Sequence, residues 1–304
     1  MPNLLRNTLA AMTRQYPLMR GGGRLANLGL MRRLSLAPDI VEAPLRDGSR
    51  MLVPINDYVG RPIFWTGDFD RRVSWVLHRL LRPGDAVLDI GANLGVYALQ
   101  AARRVGSTGI VHAIEPQPDV AELLERSLGL NGYANTTVHR VGLSDDDGQA
   151  KLGYREDDTG GRGIVPDDTH RMTLSIEIRQ AQRFLESLVF GDAQLPVRLM
   201  KLDVEGHEPQ VLAAARPWLA EHPPDAVLFE SHAEGGPFMD RPEVKTLASL
   251  GYTFSALRAG WLRVIPTPVR TSAEAQQAGA IDYLAVHGEA MTRDKDLKRL
   301  AGEC

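Results

Sequence analysis

The run Ala86-Val87-Leu88-Asp89-Ile90-Gly91-Ala92-Asn93-Leu94-Gly95 decides the fold of this chain. Residues 86–90 form a short run, apolar except for Asp89, that reads as a buried strand. Gly91 and Gly95 then let the backbone turn sharply and approach a ligand. Beyond them Val96, Leu99 and Ala102 recur at helical spacing. Strand, tight turn and helix in that order offer the unpaired N–H groups of a helix start to whatever binds at the turn.

Working outward, Arg82-Pro83-Gly84-Asp85 is a turn leading into this strand, and Val73, Val76, Leu77, Leu80 and Leu81 predict a helix before it. Residues 57–60 and 66–70 read as polar, glycine-bearing loops, and residues 41–54 as two strands around Asp47-Gly48. Downstream, residues 109–114 predict a strand ended by Glu115-Pro116, residues 118–130 a helix, and residues 136–143 a third strand. Asp147-Gly148 suggests a hairpin into residues 149–154, and the aperiodic stretch 155–170 reads as a mobile loop. Residues 172–178 and 197–204 predict strands, with a short helix at 182–189 between them. Helices are expected from near His207 to Leu219 and at 242–250. Further strands are expected at 226–229, 252–257, 261–265 and 283–286.

Strands alternating with helices predict a mostly parallel sheet covered on both faces, with ligands beyond the carboxyl ends of its strands. Five polar clusters follow successive strands: Asp89 to Asn93, Glu115, residues 142–145, residues 203–208 and residues 230–232. Five strand ends on one rim make that rim the expected site.

Composition limits the alternatives. The chain has 304 residues, 43% hydrophobic and 24% charged, with a formal net charge of −3 that gives no global attraction to nucleic acid. One cysteine, Cys304, excludes an internal disulfide framework and a cysteine metal site, and fits a reducing, cytoplasmic setting. No apolar run approaches the roughly 20 residues that cross a bilayer. Residues 1–38 stand apart, with six arginines and no acid interleaved with leucines. They read either as a basic amphipathic arm for an anionic partner or membrane surface, or as helices packed on the main domain.

Two cofactor classes use a glycine turn after the first strand. A dinucleotide site of an oxidoreductase wants Gly-x-Gly-x-x-Gly around a pyrophosphate. Here the pattern is Asp89-x-Gly91-x-x-x-Gly95, which lacks the third glycine and puts a carboxylate where a pyrophosphate would be repelled. An acid there suits an amine or a sulfonium, and S-adenosylmethionine carries both. Glu115, ending the next strand, is placed to accept hydrogen bonds from ribose hydroxyls.

The sequence resembles the FkbM-type methyltransferases on Asn56-Asp57-Tyr58-Val59-Gly60, residues 88–95, Ile114-Glu115-Pro116, Gly142-Leu143-Ser144-Asp145 and the block from Met200 to Glu208. The resemblance implies a Rossmann-like class I methyltransferase, α/β, with a mostly parallel seven-stranded sheet, helices on both faces and an N-terminal extension. It implies that Asp89, Gly91, Ala92, Asn93, Gly95, Glu115 and Pro116 bind S-adenosylmethionine, with Leu143 and Ser144 near the adenine. It also implies O-methylation of a small-molecule secondary metabolite or saccharide. Residues 175–183 and the first 50 residues depart from the family pattern.

A neutral hydroxyl is a poor nucleophile, so a base or a metal is wanted. Asp203, Glu205 and His207 follow one core strand, and Glu230 and His232 follow its neighbour. In one reading an acid or His207 is the base; in the other, Asp203 and Glu230 hold Mg²⁺. Glu208 reads as a helix-start acid. Lys201, on a strand otherwise apolar, must pair with an acid, and Asp203 shares its face. The expected organisation is an extension over 1–55, a methyltransferase domain over 56–290 and a tail over 291–304, with the extension able to pair two copies. A nucleic-acid methyltransferase lacks its stacking aromatic after Asp203, and a non-catalytic binding module would not need the cofactor residues.

Overall fold

The computed structural model describes residues 2–37, 39–153, 173–191, 195–232 and 235–303. The chain begins with three helices, α1 (Pro2–Thr13), α2 (Gly22–Ala26) and α3 (Gly29–Arg33), and a hairpin of β1 (Ile40–Pro44) and β2 (Arg50–Pro54). The expected turn at Asp47-Gly48 forms, with Gly48 at φ 93° and the Ser49 N–H donating to Asp47 Oδ1 at 2.9 Å. Between the two stretches read as loops, and taking in Gly60 and Thr66 at their edges, residues 60–66 form α4 (Gly60–Thr66). Asp57 Oδ1 accepts from the N–H groups of Val59 and Gly60, both at 2.8 Å, and Pro62 falls in the first turn, where no intrahelical N–H is needed. Next comes α5 (Arg71–Leu80), whose first turn is capped by Asp70.

The core unit follows: β3 (Ala86–Ile90), α6 (Val96–Val105), β4 (Ile110–Ile114), α7 (Pro118–Asn131) and β5 (Thr136–His139). The expected third strand is split here. At Arg140, whose guanidinium pairs outward with Glu125 at 2.7 Å, the chain leaves the sheet. Its second half becomes β6 (Gly142–Ser144) of a small sheet with β7 (Gly148–Gly153) and β8 (Thr173–Gln180). The order β6-β8-β7 means that β6 and β7 do not pair, so no hairpin forms at Asp147-Gly148. The expected mobile loop 155–170 lies outside the described residues.

The remaining elements are α8 (Ala181–Glu186), β9 (Val197–Leu202), α9 (Glu208–Glu221), β10 (Ala226–Glu230), α10 (Pro242–Ser249), β11 (Tyr252–Ala259), β12 (Val264–Val269), α11 (Ser272–Ala278), β13 (Asp282–His287), α12 (Gly288–Arg293) and α13 (Lys295–Leu300). The main sheet runs β12-β11-β13-β10-β9-β3-β4-β5. It has eight strands, not seven, because β12 adds an antiparallel edge to β11. That strand begins at Val264 because Trp261 and Leu262 belong to the hairpin tip, and Pro266 and Pro268 are tolerated at an edge. From β5 to β10 all pairings are parallel, and β13 closes the set antiparallel to β10. This is a Rossmann-like α/β architecture.

Alternation along the strands sets the layers. Val87, Leu199 and Leu228 face one buried cluster with α5, α6, α7, α12 and α13, while Leu88, Met200 and Phe229 face another with α8 to α11. Fully burying a side chain such as Leu88 contributes about 2 kcal/mol. Ala10, Ala26 and Met51 from the leading segment and Leu297 from the tail join the first cluster, so one core runs across residues 55 and 290. The strand order reverses between β3 and β9, and the crevice opens there.

Candidate active site

A cavity of about 520 Å³ lies at the carboxyl ends of β3, β4, β9 and β10. The residues from Gly91 to Tyr97 form one wall, Glu115 to Gln117 a second, and Val141 to Leu143 with Leu152 and Ile176 a third. Lys201, Asp203, Val204, Glu205, His207 and Glu230 form the side toward β9 and β10.

The glycine turn is built tightly. Gly91 and Ala92 both donate N–H to the Ile114 carbonyl at 2.9 Å, tying the turn to the end of β4. Gly91 has φ 79°, and a Cβ there would lie 1.8 Å from the Asp203 carbonyl oxygen. Gly95 has φ 89°, and a Cβ there would lie 2.1 Å from Leu124 Cδ1. Both positions therefore require glycine for two reasons, conformation and space. Asn93, at φ 51°, donates its N–H to Glu115 Oε2 at 2.8 Å, and Gln117 N–H reaches Oε1 at 2.9 Å. Burial pushes the Glu115 carboxyl up to about 7, against those two hydrogen bonds. A carboxylate oxygen has two lone pairs, so each can also take a ribose hydroxyl.

Asp89 does not line the cavity. It stands behind the turn, 1% exposed, paired in register with Lys201 of β9. The Lys201 ammonium lies 3.3 Å from Asp89 Oδ1 and 3.4 Å from Asp203 Oδ2, and it donates to the Gly91 carbonyl at 3.0 Å. The Tyr97 ring is 5.5 Å from the same ammonium, within cation–π range. Burial alone would lower the lysine pKa, but Asp203 and Asp89 outweigh it and hold it above the ordinary value. The charge of Asp89 is thus answered within the protein, and its effect on a ligand passes through Lys201.

The acids toward β10 share this face. Glu230 is pushed up to about 7, by burial first and then by the charge of Asp203. His232 touches Glu230 at 3.2 Å but does not line the cavity. The Mg²⁺ expectation for Asp203 and Glu230 gains no support. Among the described residues no group of three or more His, Cys, Asp or Glu is arranged to hold a metal, and the cation beside Asp203 is Lys201. His207 Nε2 is 3.0 Å from the Ser144 hydroxyl, which also donates to Asp145, and burial lowers the histidine pKa. Ser144 is accordingly behind the wall that Leu143 lines. Glu205 lines the cavity with φ 53°, a left-handed conformation uncommon outside glycine. Glu208 accepts the Val204 N–H at 2.9 Å and so closes the turn between β9 and α9.

One wall was not foreseen in the sequence. Tyr58, Val59, Phe69, Asp70 and Arg72 come from the stretch around α4 and the start of α5. Tyr58 and Phe69 are partly exposed and meet edge to face at 6.4 Å. Arg72 pairs with Asp70 and, at 2.7 Å, with Asp282, which lies opposite Glu230 in the β10–β13 register. The Asp70 N–H donates to the Tyr97 hydroxyl at 3.1 Å, which joins this wall to the Lys201 cluster. The aromatic pair flanking an acid just ahead of the first core helix was the available signal.

Comparison with known proteins gives the family of the chain. A family model for the methyltransferase FkbM domain matches residues 89–254. The 31-O-demethyl-FK506 methyltransferase FkbM of Streptomyces tacrolimicus is 30% identical over 166 residues, covering 44% of this chain and 60% of that protein. Protein-L-isoaspartate O-methyltransferase 1 of Archaeoglobus fulgidus is 41% identical over 58 residues, covering 19% and 27% respectively. The chain therefore spans no more than 60% of the length of these relatives. The crystal structure of methyltransferase FkbM from Methylobacillus flagellatus is 18% identical with a TM-score of 0.38, over 76% of this chain and 53% of that one. The matched span runs from Asp89 before the glycine turn, through Lys201 and Glu230, to Phe254 in β11, and on it the protein belongs to the FkbM methyltransferase family.

Proposed function

We propose that this protein is an S-adenosylmethionine-dependent O-methyltransferase acting on a hydroxyl of a small molecule or saccharide. The observation that carries the reading is a single cavity joining the Gly91–Gly95 turn and Glu115 to the carboxylates Asp203 and Glu230. The residues fit the cofactor: Glu115 presents two oxygens to the ribose, Leu143, Leu152 and Ile176 offer an apolar slot for the adenine, and an acid-rich wall favours a cationic sulfonium. When bound, the cofactor supplies an activated methyl group. The protein's part is to orient the acceptor and take its proton. Asp203, fixed by Lys201, accepts the acceptor hydroxyl's hydrogen bond, and Glu230 beside it provides a second carboxylate for the released proton. Tyr58 and Phe69 supply faces for an apolar or saccharide ring.

Asp70, Glu115, Asp203, Glu205 and Glu230 all line the cavity and oppose a phosphate backbone, which supports an uncharged hydroxyl acceptor over a nucleic acid. The relative named for 31-O-demethyl-FK506 supports a small-molecule oxygen acceptor in the same way. Calorimetry with S-adenosylmethionine and with NAD⁺ tests the reading. Micromolar binding of the first and none of the second is expected; binding of NAD⁺ alone would sink it.

A further inference from the structure

Residues 1–38 carry six arginines and no acidic residue in a chain whose net charge is −3. Packing against the body uses only part of this segment. Arg6 is buried and pairs with Asp39 at 3.5 Å, and Arg14 donates to the Phe64 carbonyl, so α1 is fastened to α4. Arg20, Arg24, Arg32 and Arg33 are exposed and make no ion pair among the described residues.

Exposed apolar side chains share the segment. Half of the exposed large hydrophobic residues among the described residues fall within residues 1–40, including Leu4, Met12, Leu28, Leu30 and Leu36. A second element adjoins it: the Met19 N–H donates to the Trp261 carbonyl at 2.9 Å. Trp261 and Leu262, at the tip of the β11–β12 hairpin, are 78% and 66% exposed, with Arg258 and Arg263 exposed beside them. Leucine and tryptophan on a surface whose nearby charges are arginine is the composition of a face that rests in a lipid interface. The apolar groups enter the acyl boundary, tryptophan sits at headgroup level, and arginines meet anionic headgroups.

We propose that α1 to α3 and the β11–β12 tip form a docking face for an anionic lipid surface. Charge complementarity selects this occupant. A second copy docked face to face would bring arginines against arginines, and the one carboxylate in residues 1–40, Asp39, is already engaged by Arg6. A nucleic acid would leave the exposed leucines without a role. The face borders the cavity mouth: Arg71 donates to the carbonyls of Tyr16 and Leu18, and its neighbours Asp70 and Arg72 line the cavity. Docking would therefore hold the mouth close to the headgroups. The inference stands apart from the methyl-transfer reading.

Co-sedimentation of the full chain tests it, with vesicles of phosphatidylglycerol and phosphatidylcholine against phosphatidylcholine alone. Retention on the anionic vesicles only, weakened by salt, is expected. Replacing Arg24, Arg32 and Arg33 together by Gln should lower partitioning on the order of 100-fold. Trp261→Ser with Leu262→Ser should weaken it further at every salt concentration. Both variants should keep the wild-type melting temperature. Equal retention on neutral vesicles, no retention on anionic ones, or retention untouched in both variants would overturn the proposal. So would a solution dimer that the arginine variant abolishes, or tighter binding to a duplex DNA probe than to the vesicles.

Discussion

The two halves of the cavity are built differently. The half proposed for the cofactor is one short stretch, Gly91 to Tyr97, backed by Glu115 on the adjacent strand, and its turn is fixed by backbone hydrogen bonds to the Ile114 carbonyl. The half proposed for the acceptor gathers side chains from residues 58–72, 203–207, 230 and 281, brought together only by the completed fold. A half made of backbone tolerates little change in shape, whereas a half made of side chains can change its ligand while the fold persists. Substitutions can break or sharpen that contrast.

The largest effect is expected at Gly91. Its substitution by Ala places a methyl group 1.8 Å from the Asp203 carbonyl at a φ of 79°, so strand β9 or the turn must shift. Cofactor binding measured by calorimetry should fall below detection. Lys201→Met comes next, because it leaves Asp89 and Asp203 without their cation. Breaking a buried pair in this way costs on the order of 3–5 kcal/mol. Urea denaturation should show that loss; an unchanged midpoint would remove the ammonium from its place as the centre of the cluster.

Glu115 gives a smaller and pH-dependent effect. Its carboxyl is raised from an ordinary 4.5 to about 7 in the folded protein. A raised acid favours folding while protonated, so its contribution is full below pH 4.5 and is lost as pH rises through about 7. Ribose hydroxyls donate to the ionised form, so cofactor binding should release a proton and tighten between about pH 6 and 8. Glu115→Gln should lower the affinity by roughly tenfold, the worth of a charge-assisted hydrogen bond, and flatten that pH profile. A profile as steep as the wild type's would assign the proton to another group. The smallest effects belong to the aromatic wall. Tyr58→Ala or Phe69→Ala should each raise the acceptor KM by about five- to tenfold and leave cofactor affinity alone.

This contrast also explains what the sequence made legible. The glycine turn, Glu115 and the pairing need of Lys201 are local statements: conformation, charge and strand periodicity fix them within a few residues. The wall from Tyr58 to Arg72 was hidden because α4 is only seven residues long, with Gly60 at its start, Pro62 in its first turn and Gly67 after it, and because its packing partners are distant. Residues 142–144 misled for another reason. An apolar strand pattern continues past Arg140, and only the outward pull of Glu125 and the docking of β8 show that the chain has changed sheets. Asp89 was read as facing the ligand because sequence shows its charge but not the lysine 112 positions later that answers it.

That distant lysine has a consequence for assembly. The Gly91 carbonyl is held by Lys201, and the Ile90 carbonyl accepts the Asp203 N–H at 3.1 Å. A chain emerging from the ribosome owns the whole glycine turn long before β9 exists to brace it. Non-local contacts of this kind form late and cost loop-closure entropy first. On the proposed function, cofactor capture would then be a certificate of completed folding: a nascent or clipped chain ending before β9 carries the glycine turn without the two hydrogen bonds that brace it. The cofactor cannot rescue such a fragment by mass action, because the state it stabilises is the finished one.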